Sequence, residues 1–376
     1  MRAAGRTRAG EEGSSIVRTV LSVVGVRPQF VKHAPVSRAL RRRFREVVVH
    51  TGQHYDFAMS RLFFDELAIP EPDRHLGVGS GTHAGQTGRV AERVEAVVTE
   101  LRPDAVLVFG DTNSTLGAAL AVAKLRVPLA HVEAGVRTGL TGMAEEINRV
   151  LVDHASDLLF APTADAVEHL AREGAHGAVH LVGDVMRDAL ELHLERAAGR
   201  PHPALPLAGE PGRYLLLTLH RAENTDDPAA LAAILDGVAA LREPVVFPVH
   251  PRTREALARH GLAARLAGLR HVRAIEPVGY LDMLVLERDA RLVLTDSGGM
   301  QKEAYLLGTP CLTLFPETPW KETVAAGWNR LVPAGAAALA RAVEEFRPDG
   351  PRPDLYGDGQ ASERIAALLA AALELA

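Results

Sequence analysis

Short β-branched and leucine-rich runs alternate along the chain with longer stretches whose apolar residues recur at helical spacing. That alternation predicts α/β architecture with parallel sheets, because parallel neighbours are joined only by long crossovers, usually helices. The runs fall into two series. Strands are predicted at 19–24, 46–50, 105–109, 129–132 and 157–160, and again at 214–218, 245–249, 272–275, 292–295 and 311–314. Between the series, 196–213 carries Pro201, Pro203, Pro206 and Pro211 among Gly and Ala, which neither a helix nor a central strand tolerates. The expected organisation is a loose leader (1–15), a first Rossmann-like domain (16–195), a linker (196–213) and a second Rossmann-like domain (214–359). An Ala- and Leu-rich helix over 360–376 is expected to fold back on the first domain. Two such sheets bring the C-terminal ends of their strands to a central cleft, so polar residues just after strands are the candidates for chemistry.

A chain of 376 residues, 47% hydrophobic and 24% charged, has the length and composition of an ordinary two-domain globular protein. A net charge of -5 with only 5% aromatic residues argues against nucleic acid as a partner. The single cysteine, Cys311, rules out an internal disulfide or a cysteine-based zinc cluster and fits a reducing compartment, the cytoplasm by default. The first fifteen residues lack the apolar core of a secretory signal, and no run of about 20 apolar residues suits a membrane span.

The first predicted strand leads into GVRPQFVK, where a Gly-containing turn opens a helix and Arg27 and Lys32 add positive charge, a combination suited to a diphosphate. An ordinary turn with surface basic residues would read the same. Asp111 and Glu133 follow two further strands, which puts both carboxylates at one lip of the sheet. Glu145 and Glu146 begin a predicted helix, where carboxylates serve equally as caps or as acid and base. In the second half, His220 follows a strand and is placed to act as acid, base or phosphate donor. Ser297, Gly298 and Gly299 form a turn into a helix whose amides can hold phosphate, and Glu303 can accept from ribose hydroxyls. Neither a triphosphatase loop nor a dinucleotide-binding GxGxxG turn follows a strand, and no metal motif appears, so metal-free chemistry without a cofactor is expected.

Taken in order, GVRPQFVK, TGQHYD, GDTNST, HVEAGVRTG, EEINR, FAPT, HRAEN, VHPRT and TDSGGMQKEA resemble the non-hydrolysing bacterial and archaeal UDP-N-acetylglucosamine 2-epimerases, from about 20 to 332. The resemblance implies the two-Rossmann-domain arrangement called GT-B, a homodimer, and no required metal or nicotinamide. It implies interconversion of UDP-N-acetylglucosamine and UDP-N-acetylmannosamine through loss and re-addition of UDP. Asp111, Glu133 and Glu145 match the family's catalytic carboxylates and His220 its histidine; Arg27, Lys32, Arg149, Ser297, Gly298, Gly299 and Glu303 match positions that bind the UDP-sugar. Gln53, His54 and Arg89 align with positions that, in some members, hold a second UDP-N-acetylglucosamine as activator. Two departures stand out: Gly142 and Phe315 occupy positions where close relatives tend to carry arginine. A hydrolysing enzyme of the same architecture, a GT-B glycosyltransferase and a non-catalytic UDP-sugar sensor are the alternatives.

Overall fold

The computed structural model describes residues 17–53, 71–139, 142–198, 206, 210–332 and 336–374. A seven-stranded sheet is built from β1 (Thr19–Val24), β2 (Arg45–His50), β3 (Arg74–His75), β4 (Ala105–Phe109), β5 (Leu129–Val132), β6 (Leu158–Ala161) and β7 (Ala178–Leu181). A six-stranded sheet is built from β8 (Leu215–Thr218), β9 (Val245–Pro248), β10 (Val272–Ile275), β11 (Leu292–Thr295), β12 (Cys311–Thr313) and β13 (Asn329–Leu331). The ten strands predicted from hydrophobic pattern form to within a residue at either end. The remaining three, β3, β7 and β13, are edge strands. They are short and partly exposed, so they lack the continuous apolar run that strands covered on both faces require.

All pairings are parallel, in the orders β3-β2-β1-β4-β5-β6-β7 and β10-β9-β8-β11-β12-β13. Each sheet therefore winds outward from its centre in both directions, leaving a crevice at the strand ends between β1 and β4 and between β8 and β11. Adjoining crossovers diverge there to opposite faces. This two-sheet α/β arrangement around a cleft is the GT-B fold.

The helix Ala361–Glu374 packs Ile365, Ala366, Leu369 and Leu373 into the core that holds helices Arg27–Leu40 and Val185–Ala197 of the first sheet. Its start is fixed by Asp188, which accepts from the amides of Ala361 (3.3 Å) and Ser362 (2.7 Å), two donors that no helical carbonyl satisfies. Tyr280, Leu281 and Leu284 from the second domain join the same core, so the domains share an apolar contact beneath the cleft. The second sheet has its own core of leucines and valines around Leu215, Leu217, Phe247, Leu292 and Leu294. The expected leader 1–15 lies outside the described residues, as does most of the expected linker 196–213, whose first two residues end the helix Val185–Ala197. Among the described residues no helix is long and apolar enough to cross a membrane.

Candidate active site

Both sheets contribute to one cavity of about 1250 Å³ at their strand ends. On the first domain, β1 gives way at Gly25 to the helix Arg27–Leu40, and the turn is held by Gln29, whose Oε1 accepts from Gly25 N (2.7 Å) while Nε2 donates to the Phe109 carbonyl (2.7 Å). A Cβ at Gly25 would overlap the side chains of Ser114 and Thr51, which explains a glycine at this crossing of β1 and the helix after β4. Arg27 opens that helix, and Lys32, lying further along it, lines the cavity.

Glu133 follows β5 directly, in left-handed backbone at φ +74°. A residue other than glycine occupies that region at a cost, and such sites concentrate where a side chain must point one way. Its carboxylate pairs with Lys32 and, at 3.3 Å, with Lys302 of the second domain. Burial alone would raise its pKa, but the two ammonium groups, with Arg149 beyond, hold it well below the usual carboxylate range. Asp111, just after β4, pairs with Arg149, which also bonds Glu146 at 3.0 Å. The two acidic residues that open the helix Ala144–Ala155 divide their work. Glu145 lines the cavity, whereas Glu146 turns back to accept from the Thr138 and Gly139 amides (3.0 Å each) and clamps the 138–139 loop. Burial works against the charge on Glu146, and the Thr138 and Gly139 amides outweigh it to bring its pKa down.

On the second domain, β11 runs into the helix Gly298–Leu307, capped by Ser297, whose hydroxyl accepts from Met300 N (3.4 Å). Gly298 and Gly299 line the cavity with first-turn amides, which an α-helix leaves without internal partners and which favour an anion. Glu303 lines it too and accepts from the Tyr280 hydroxyl at 2.9 Å. His220, after β8, lies across from Asp296 (Nδ1 to Oδ1, 3.2 Å), and Asp296 also accepts from the amides of His220 (3.1 Å) and Arg221 (3.0 Å) and from Asn224 (3.0 Å).

The structure thus brings Lys32, Asp111, Glu133, Glu145, Arg149, His220, Ser297, Gly298, Gly299 and Glu303 to one cleft. Gln53 and Arg89 are elsewhere. Gln53 accepts from Ser114, and Arg89 donates to the carbonyls of Val78 and Ser80, at a loop that does not line the cavity; His54 lies outside the described residues. Sequence reasoning missed Asp296, although it precedes the Ser-Gly-Gly turn, and Lys302, whose buried ammonium pairs with Glu133 and Asp184. Nothing local marks a lysine as the partner of an aspartate 118 residues away. Phe315 lines the cavity with the Arg221 guanidinium 4.3 Å from its ring centroid, and Gly142 has open space around it. Among the described residues no group of three or more His, Cys, Asp or Glu is placed to hold a metal.

A helix N-terminus that favours phosphate, a carboxylate beside it and ion-paired carboxylates on the facing wall define a two-domain enzyme cleft built for an anionic nucleotide derivative. The family profile described as UDP-N-acetylglucosamine 2-epimerase matches residues 38–370. A UDP-N-acetylglucosamine 2-epimerase homolog of Methanococcus maripaludis is 45% identical over 352 residues, 93% of this chain and 99% of its own. The UDP-2,3-diacetamido-2,3-dideoxy-D-glucuronate 2-epimerase of Pseudomonas aeruginosa is 45% identical over 364 residues, with 93% and 99% covered. The crystal structure of Methanocaldococcus jannaschii UDP-GlcNAc 2-epimerase in complex with UDP-GlcNAc and UDP superposes with a TM-score of 0.84 at 40% identity, covering 94% of this chain and 99% of that one. The chain belongs to the UDP-N-acetylglucosamine 2-epimerase family, and its activity is that of an epimerase.

Proposed function

We propose that the protein interconverts UDP-N-acetylglucosamine and UDP-N-acetylmannosamine without hydrolysis. The C2 proton passes to a carboxylate of the first domain, the C1–O bond to the diphosphate breaks, and 2-acetamidoglucal and UDP remain in the cleft. Protonation of C2 on the opposite face and return of UDP to C1 complete the inversion. The observation that carries this reading is the division of the cleft, with Asp111, Glu133 and Glu145 on one wall and His220, Ser297, Gly298, Gly299 and Glu303 on the other. One wall offers carboxylates for proton exchange, the other amides and an imidazole for the leaving diphosphate. Glu133 is held ionised by Lys32 and Lys302, the state a proton acceptor needs in one direction, with Asp111 or Glu145 serving the opposite face. Arg149 and Lys32 steady these carboxylates from behind. The test is incubation with UDP-N-acetylglucosamine in D2O followed by NMR of C1 and C2. The manno epimer with deuterium at C2 is expected; free N-acetylmannosamine plus UDP would establish the hydrolysing outcome instead.

A second reading of the sugar is favoured by Lys321. This exposed lysine lines the cavity opposite Gly139, within 3.7 Å of where a Cβ there would stand, and pairs with no acidic side chain among the described residues. A cation so placed suits a sugar carboxylate, as in the uronate named for the Pseudomonas relative. Competition between the neutral and the uronate nucleotide sugars, with Lys321→Ala alongside, separates the two. For the assembled state we propose a homodimer. It is supported by Leu120, Ile147 and Leu151, large apolar side chains exposed on helices Asn113–Val122 and Ala144–Ala155. We place the protein in the cytoplasm, where the lone buried cysteine would stay reduced.

A further inference from the structure

Lys302 belongs to the helix whose first turn faces the nucleotide side of the cleft, yet its ammonium ends in the first domain. It is 3% exposed, reaches Glu133 at 3.3 Å, pairs with Asp184 at the cap of the helix Val185–Ala197, and lies 4.0 Å from the Trp320 ring centroid. Charges that deep persist only when mutually paired. The pairing joins the two domains at the very carboxylate whose backbone is held in left-handed conformation.

We propose that Lys302 is a positioning residue for the reaction: its ammonium, carried across from the second domain, completes the cationic set around Glu133 and holds this carboxylate toward C2. The inference rests on the reading that Glu133 exchanges the C2 proton. The groups that face Glu133 are Lys32 from the helix Arg27–Leu40, Arg149 from the helix Ala144–Ala155 and Lys302 from the helix Gly298–Leu307. Behind them stand Asp111 and Glu146 on Arg149, and Asp184 on Lys302. Burial is the largest influence on Glu133 and opposes its charge, so the cations decide its state. Withdrawing Lys302 weakens that set and leaves Lys32 and Arg149 to oppose burial.

The test measures C2 exchange at saturating UDP-N-acetylglucosamine against pH, with UDP affinity read by calorimetry. Taken as a ratio to wild type between about pH 5.5 and 8, exchange by Lys302→Met is expected to develop an acidic limb, falling as the pH drops, whereas a variant without effect gives a flat profile. UDP affinity should stay within about threefold, because the Ser297 turn and Glu303 remain. Lys302→Met strands Asp184 as well, so the pair Lys302→Met with Asp184→Asn is measured beside it and must keep the limb, while Lys302→Arg restores the flat profile. A flat profile in both methionine variants overturns the proposal. So does a loss of UDP affinity of about tenfold or more without a limb, which would make Lys302 a diphosphate ligand. Glu133→Gln is the control on the underlying reading: wild-type exchange there removes Glu133 from the chemistry, whereas an inactive Glu133→Gln beside a flat Lys302→Met refutes the role of Lys302 alone.

Discussion

Asp296 offers the most direct perturbation of the nucleotide wall. It is fully buried, and its two carboxylate oxygens take the amides of His220 and Arg221 and the Asn224 side chain, with His220 Nδ1 at 3.2 Å. Replacing it by Asn keeps the shape and one acceptor, but sets an NH2 group against the His220 and Arg221 amides, which among the described residues donate only to this carboxylate. Each charge-assisted bond contributes about 1.5 to 3 kcal/mol, and the loss of one or two with a stranded buried donor comes to about 3 kcal/mol. For a domain of this size that is a fall in Tm of roughly 6 to 12 °C. The imidazole of His220 loses its orienting partner at the same time, and misplacement of a reacting group by about 1 Å can cost about 10²-fold in turnover.

The pH dependence of Asp296 follows from its surroundings. Burial would raise its pKa, but the bonds from His220, Asn224 and Arg221 lower it below the ordinary aspartate value. A depressed folded pKa adds stability above the unfolded value and loses it as the pH falls through the folded one. The stability gap between wild type and Asp296→Asn should therefore be full near neutrality and narrow below about pH 4. Scanning calorimetry at several pH values, with steady-state turnover at pH 7.5, measures both effects. An Asn variant that melts with the wild type at neutral pH and turns over at the same rate would refute the reasoning.

Asp111→Asn should lower C2 exchange by about 10² to 10⁴ while UDP still binds, the range for removing an acid or base; unchanged exchange would take Asp111 out of the mechanism. Glu303→Ala should weaken UDP by roughly 1.5 to 3 kcal/mol in calorimetry if its carboxylate accepts from the ribose hydroxyls, and an unaltered affinity would sink that assignment. Burial pushes the Glu46 carboxyl up, but His33, Ser37 and Ser22 bring it down to about 2. Its contribution, about 3 kcal/mol, should be complete above about pH 5 and disappear as the pH falls toward 2; a Glu46→Gln variant whose denaturation curves track the wild type across that range would contradict it. Conversion from pure UDP-N-acetylmannosamine should proceed without a lag, since Gly142 and Phe315 supply no guanidinium to grip a second anionic nucleotide sugar; a lag abolished by a trace of the gluco epimer would show an activator site at work.

The hydrophobic pattern carries the strands that lie inside the sheets and falls silent at three of the four edges, β10 being the exception. β1, β4, β8 and β11 are buried along all or nearly all of their length, so their sequences are apolar but for Thr19, Ser22, Thr218 and Thr295. β3 is Arg74–His75, exposed and two residues long; it exists because the chain passes beside Val49 and His50, a fact of the third dimension. The helix Ala361–Glu374 is readable from its alanines and leucines, and its packing on the first domain is the expected one, but the residue that fixes its start, Asp188, is set by the fold.

In the site, sequence reasoning reached residues placed by local rules and stopped at those placed by long-range charge pairing. Ser297, Gly298 and Gly299 are legible because a strand, a glycine turn and a helix start fix their amides whatever the rest of the chain does. Glu145 and Glu146 were indistinguishable as neighbours in a first turn. What separates them is the 138–139 loop, whose amides claim Glu146 and leave Glu145 to the cleft. Lys302 is the extreme case: beside Glu303 in sequence, it reads as another helix-surface lysine. It becomes part of the chemistry only because both domains must be present before its ammonium can meet Glu133 and Asp184. A lysine exposed on an isolated second domain would carry no such partners, and Glu133 in an isolated first domain would keep Lys32 and Arg149 alone. The electrostatic state of the site is therefore a property of the two domains together, which is why substitutions at Lys302 and Asp184 are expected to alter the chemistry on the first wall while leaving the nucleotide's own contacts in place.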